Sequence, residues 1–226
     1  MNEQLAIDLP YRPALGRADF LVSDCNADAL QRIESWPAWA ARALVLHGPP
    51  DSGKSHLTHL WCARSGGRSI AGAALAGHDP SALAAEPAVA IDDAERADER
   101  LLLHLFNCCA ESGAGLLVVA RQPPAVWPIS LPDLASRLRS AQAVGIGAPD
   151  DTLLAAVLVK HFSDRQLPAK PGVIAYLVQR MERSFAAAAA LAATLDRRAL
   201  SAHRPVGLAL ARQALAELAA PERISG

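Results

Sequence analysis

Eight consecutive residues, Gly48, Pro49, Pro50, Asp51, Ser52, Gly53, Lys54 and Ser55, carry the spacing G-x-x-x-x-G-K-[ST]. This spacing suits the binding of a polyphosphate. The glycines let the backbone wrap close to the anion, and the loop amides and the N-terminus of the following helix face it. The cradle is read as running from Gly48 through His56. Lys54 would reach the β and γ phosphates as a compact charge, and the Ser55 hydroxyl would bind Mg2+. The ligand implied is ADP or ATP. A second stretch, "AVAIDDAE", ends an apolar run in two acids. Asp92 suits a magnesium site reached through water, and Asp93 suits the orientation of an attacking water. Arginines are the third element. "LPDLASRLRSA" offers Arg137 and Arg139 as fingers toward a transferring phosphate, and "QRMERSF" offers Arg180 and Arg183.

These residues need elements to hold them. Ala41 to Gly48 reads as a buried strand running into the phosphate loop, and "KSHLTHLWCARS" has helical spacing after it. "GGRSIAGAAL" contains a weak strand, and Glu86 to Arg96 a strong one ending at Asp92-Asp93. Arg100 to Glu111 reads as a helix, "GLLVVARQPP" and "AQAVGIGAP" as further strands, and Asn26 to Glu34 as a helix that Asn26 could cap. Strands alternating with helices predict a parallel sheet covered on both faces. After Pro149 only helices are expected: one that Asp150-Asp151 starts, through about Phe162, Pro171 to about Arg183, the alanine-rich "SFAAAAALAATLDRRALS", and Val206 to Leu218. The expected organisation is an N-terminal segment over 1–18, an α/β nucleotide-binding domain over 19–148 and a helical lid over 149–226.

Composition narrows the function. The chain has 226 residues, a formal charge of −1 and 51% hydrophobic content, so it can bury a core but has no global basic field for nucleic acid. No run approaches the roughly 20 apolar residues of a membrane span. Cys25, Cys62, Cys108 and Cys109 form no C-x-x-C pair, which favours reduced thiols and a cytoplasmic protein. Of 22 basic residues only Lys54, Lys160 and Lys170 are lysines, so each lysine is notable in a chain that otherwise uses arginine.

With these motifs in order, the sequence resembles the DnaA-type AAA+ ATPases, and most closely their short regulatory homologues of the Hda type as found in alphaproteobacteria. The resemblance rests on "ADFLVSDCNADAL", "GPPDSGKSHLTHLW", "AIDDAE", "LPDLASRLRS", "LDRRAL" and "ESWPAW". It implies a P-loop AAA+ parallel sheet sandwiched by helices, followed by a small all-α lid, with nucleotide held between the two. It places Arg137 at the arginine-finger position, with Arg139 as the alternative, and Arg183 at the lid sensor position. Two departures stand out. Arg121 follows the fourth strand where these proteins usually carry an acid, and alanines fill lid positions where initiators are charged. Both imply weak intrinsic hydrolysis. The chain runs to "APERISG" without a basic helix-turn-helix segment, so sequence-specific DNA binding of its own is not expected.

The segment "QLAIDLP" near the start is by itself an edge strand or a tail folding back. It also resembles the clamp-binding peptides of bacterial replication proteins. On that reading Gln4 hydrogen-bonds at a pocket rim, and Leu5, Ile7 and Leu9 fill apolar subsites. The function implied is a regulator of replication initiation, at the nucleoid or replisome. It binds the DNA polymerase sliding clamp (its β subunit), meets DnaA and promotes hydrolysis of DnaA-bound ATP. A homo-oligomer stays open. Two other classes remain: an AAA+ adaptor or helicase loader that delivers a partner to DNA, and a small-molecule P-loop kinase, which the alanine-rich bundle disfavours.

Overall fold

The computed structural model describes residues 15–39, 42–202 and 205–219. Five strands, β1 (Ala43–His47), β2 (Arg68–Ala71), β3 (Ala88–Asp92), β4 (Gly115–Ala120) and β5 (Gln142–Gly145), form one sheet in the order β2-β3-β4-β1-β5. All four pairings are parallel. The helices of this half are α1 (Ala27–Glu34), α2 (Lys54–Ser65), α3 (Pro80–Leu83), α4 (Glu99–Ser112) and α5 (Pro132–Ser140). The helices that follow are α6 (Asp151–Asp164), α7 (Pro171–Val178), α8 (Phe185–Ala202) and α9 (Leu208–Ala219). The fold is thus an α/β sheet flanked by helices with a helical C-terminal part.

Alternation along the strands builds two cores. Val45, Val89, Ile91, Leu116 and Val118 face α4 and α5, joining Leu102, Leu105, Leu134 and Leu138. Leu44, Leu46, Ala90, Leu117 and Val119 face the other way, onto Leu30 and Ile33 of α1 and Leu57 and Trp61 of α2. Every residue of β4 is buried, which suits a central strand covered on both faces. On the second face Trp61 is fully buried, stacks on Trp39 at 5.3 Å and meets Trp36 edge-on at 5.5 Å. Leu153 and Phe185 also enter this cluster, so the first turns of α6 and α8 are anchored to the sheet domain. The remaining helical faces form a third core around Leu154, Leu158, Leu177, Leu191 and Leu195.

Two local expectations change. Asn26 does occupy the position before α1, but its side chain does not cap it. Its amide donates to the Leu21 carbonyl and its oxygen accepts from the Ser23 amide, fixing the incoming loop instead. Helix α7 ends at Val178, several residues before Arg183. The apolar face stops there, and Ser184 starts a new helix by accepting the Ala187 amide at 3.1 Å. Among the described residues no helix is long and apolar enough to cross a membrane.

The tryptophan cluster gives a stability test. Trp61→Ala removes a side chain with no exposed surface and leaves a cavity between α1, α2 and the sheet. It is expected to cost about 3 to 5 kcal/mol in denaturant unfolding. A loss under about 1 kcal/mol would contradict this packing.

Candidate functional site

The strand order brings the chemistry together. β4 lies between β1 and β3. The loops leaving β1, β4 and β3 therefore emerge side by side at the carboxyl edge of the sheet, where open α/β sheets bind ligands. They carry the loop from Gly48 to Gly53, Arg121 and Asp92-Asp93.

The loop from Gly48 to Gly53 runs into α2, whose first residue is Lys54. Gly53 precedes it with φ +90°, a conformation L side chains rarely adopt. A Cβ there would also stand 3.1 Å from the Phe20 ring, which closes over the loop. Lys54 is buried, and its ammonium donates to the carbonyls of Gly48 and Pro49 at 2.8 and 2.7 Å. Burial lowers its pKa below the ordinary lysine value, against the raising pull of Asp92, Asp93 and Glu95, while Arg121 lowers it further. The Ser52 hydroxyl is buried and has no hydrogen-bond partner. Ser55 donates to Asp92 Oδ2 at 3.1 Å, bridging two sequence motifs 37 residues apart. A hydroxyl beside a carboxylate is a hard oxygen donor set that fits Mg2+.

Asp93 takes a left-handed backbone conformation, φ 49° and ψ 50°, where the chain leaves β3. Its carboxylate lies 3.8 Å from Arg121 Nε, and the Arg121 amide donates to Glu95. The residue proposed to orient water therefore faces a cation from the next strand. Asp93, Glu95 and Arg121 line a cleft of about 670 Å³ with Glu99 and Trp127. Glu99 fixes the far wall by accepting the amides of Ser130 and Leu131 at 2.9 and 2.8 Å. Glu95 and Trp127 were not foreseen from sequence, because no motif spacing points to them.

On the lid side the loop meets a smaller cavity of about 130 Å³. Phe20, Asp51, Ser52, Gly53 and His56 line it from the sheet domain, and Leu153, Val157, Lys160, His161 and Phe185 from the helices. His56 hydrogen-bonds the Gly16 carbonyl at 2.9 Å and meets Phe20 edge-on. The arginines lie elsewhere. Arg183 makes a two-point pair with Asp151 at 2.8 and 3.1 Å and lines neither of these two cavities. That pair holds the Asp151 carboxyl below the ordinary carboxylate range. Arg137 and Arg139 are exposed on α5, whose Leu134 and Leu138 pack on the face of the sheet opposite α2. Neither forms an ion pair among the described residues. Arg180 lies over the Tyr176 ring at 4.1 Å. Gln4, Leu5, Ile7 and Leu9 lie outside the described residues.

The comparisons with known proteins agree with this geometry. No family model matches the chain. The chain is 29% identical over 118 residues to the chromosomal replication initiator DnaA of Thermomicrobium roseum, a match covering 50% of this chain and 24% of that protein. It therefore spans about a quarter of the length of the curated relative it matches. In structure it is similar to domain III of Thermotoga maritima DnaA, with TM-score 0.76 at 15% identity over 94% of this chain and all of that one. A DnaA bound to AMPPCP and single-stranded DNA aligns with TM-score 0.66 at 14% identity, over 85% of this chain and 69% of that chain. The branch-migration motor RuvB of Thermotoga maritima gives 0.65 at 15% identity, over 91% and 72%. The fold is thus similar to that of DnaA domain III and of RuvB.

The histidines around the loop make the site sensitive to acid. Burial lowers His47, His56 and His161 from the ordinary value of 6.5, with Lys54 adding to the effect at His47. Their folded pKa values lie below the unfolded ones, so the neutral forms favour folding. That contribution is present above pH 6.5 and is lost as pH falls through the folded values. The melting temperature of the unliganded protein is expected to fall on acidification below that point. The fall should be shallower in the triple variant His47→Asn, His56→Asn, His161→Asn, and equal slopes would contradict the assignment.

Proposed function

We propose that the chain is a nucleotide-binding AAA+ regulator of replication initiation, of the Hda type. In this role it holds ADP or ATP with Mg2+, binds the sliding clamp through its N-terminal segment, and promotes hydrolysis of ATP bound to DnaA. It would act in the cytoplasm, where the replisome holds the clamp. The observation that carries the nucleotide reading is the meeting of Ser55 and Asp92 beside a buried Lys54 held only by loop carbonyls. The relation to DnaA supports the setting.

The chemistry follows from the residues. Lys54 turns from its carbonyls to the β and γ phosphates, and loop amides from Pro50 to His56 take the remaining oxygens. Ser55 and Asp92 would hold Mg2+, which neutralises phosphate charge. Asp93 is the group placed to orient water, but Arg121 lies beside it and offsets its charge. The cation stands where a water would be oriented, which suits slow intrinsic turnover. The 130 Å³ cavity is smaller than the roughly 300 Å³ at the lower end of ligand pockets, so seating a nucleotide between the loop and the C-terminal helices would move α6 and α8 outward.

Lys54→Ala is expected to weaken ADP and ATP binding by about one to two decades, as loss of a charge-assisted contact. Affinities equal to the parent's would remove the P-loop assignment.

Arg137 lies on an exposed helix face, across the sheet from α2, which suits action on a partner's nucleotide. Arg137→Ala should keep its fold and its own nucleotide and fail to stimulate ATP hydrolysis by DnaA with clamp loaded on DNA. Normal stimulation would shift the finger to Arg139 or end the model.

For the N-terminal segment, the double change Gln4→Ala, Leu5→Ala should abolish clamp binding and leave the melting temperature nearly unchanged. A drop of several degrees with clamp binding intact would make the segment part of the core.

A further inference from the structure

We infer that Lys160, on α6, is the lid cation that contacts the phosphates of the bound nucleotide, in place of Arg183. The inference rests on the nucleotide reading above and names the lid residue that reading lacks.

Three observations carry it. Arg183 is committed elsewhere, bonded through two nitrogens to both oxygens of Asp151 and absent from the cleft. The first turn of α8, next to Arg183 in sequence, presents Phe185 and alanines, so no other cation from that helix reaches the loop. Helix α6 instead turns Leu153, Val157, Lys160 and His161 to the cleft, a spacing of four, three and one residues that keeps them on one helical face. Lys160 is half-buried there and forms no ion pair among the described residues. It shares the cavity with the buried Ser52 hydroxyl, which has no partner. A cation without a carboxylate partner and a hydroxyl without a hydrogen bond, converging on a phosphate loop, describe the rim of an anion site.

The surroundings fit a lysine. His56 and His161 flank it and are held neutral by burial, so they add no competing charge near neutral pH. Asp51 and Asp19 also line the cavity, and neither pairs with Lys160. The four-carbon stem lets the ammonium follow the loop as the lid moves, which a planar arginine fork does less well. Docking phosphate on Lys160 would tie α6 to the loop, and α6 packs on α8 and α7. One contact thus couples the ligand to the position of the helical unit.

The test is calorimetric titration of ADP and of adenosine into the parent, Lys160→Ala, Lys160→Arg, Arg183→Ala and Lys54→Ala. Lys160→Ala is expected to lose at least about tenfold in ADP affinity with adenosine affinity unchanged, Lys160→Arg to recover most of the loss, and Arg183→Ala to match the parent. Parent-like ADP affinity in Lys160→Ala, or an equal loss for ADP and adenosine, overturns the inference. If Lys54→Ala loses ADP while Lys160→Ala does not, the nucleotide reading stands and only the role of Lys160 fails. If the parent itself binds no ADP, both fail.

Discussion

The site depends on one buried charge. Lys54 stands at the start of α2 with its ammonium out of water, met by two backbone carbonyls and by no carboxylate within bonding distance. Two neutral dipoles compensate a desolvated cation only in part, so burial lowers its pKa. A polyphosphate is the ligand that satisfies such a group, because it brings charge as well as acceptors. Nearby features follow from this need. The left-handed Gly53 aims the lysine inward, Phe20 shields the loop, and β1 and α2 are buried deeply enough to hold both in register.

The order of the strands decides what surrounds that charge. With β4 between β1 and β3, whatever follows β4 stands beside both the loop and the acids of β3. Here the residue is Arg121. It lowers the basicity of Lys54 and lies beside Asp93, so one side chain neighbours both the buried lysine and the acids of β3. The ion pair is long and half exposed, and it is worth little as stability. Its consequence is chemical, since it sets the charge where a water would be activated. On the opposite side the helical unit is fastened to the sheet domain by Leu153 and Phe185, two apolar anchors at the starts of α6 and α8. Packing at these two anchors thus fixes how the C-terminal helices border the loop.

Much of this was legible in sequence because it is local. The loop from Gly48 to Gly53 between its flanking strand and helix, and the acids ending β3, are contiguous patterns, and α2 spans the twelve residues its spacing indicated. The parallel sheet followed from alternation of element types. What was not legible depends on partners far along the chain. Arg183 has the composition of a phosphate ligand, yet Asp151, 32 residues earlier, takes two of its three guanidinium nitrogens. Asn26 has the composition of a cap, yet Leu21 and Ser23 claim its side chain. Lys160 was marked only by the scarcity of lysines, since the face of α6 that meets the loop is set by how the helical unit docks. Phe20 over Gly53 left no sequence signal at all, for a single aromatic residue in a loop fits many roles.

On the proposed function, the loop around Lys54 binds a nucleotide through its phosphate chain. Equilibrium titration of ADP, AMP and adenosine against the parent protein in Mg2+ tests it most directly. ADP is expected to bind at least about tenfold more tightly than AMP, because the β-phosphate would replace the two carbonyls at Lys54. AMP is expected to bind more tightly than adenosine. Equal affinity for ADP and AMP, or no measurable binding of ADP, would contradict it.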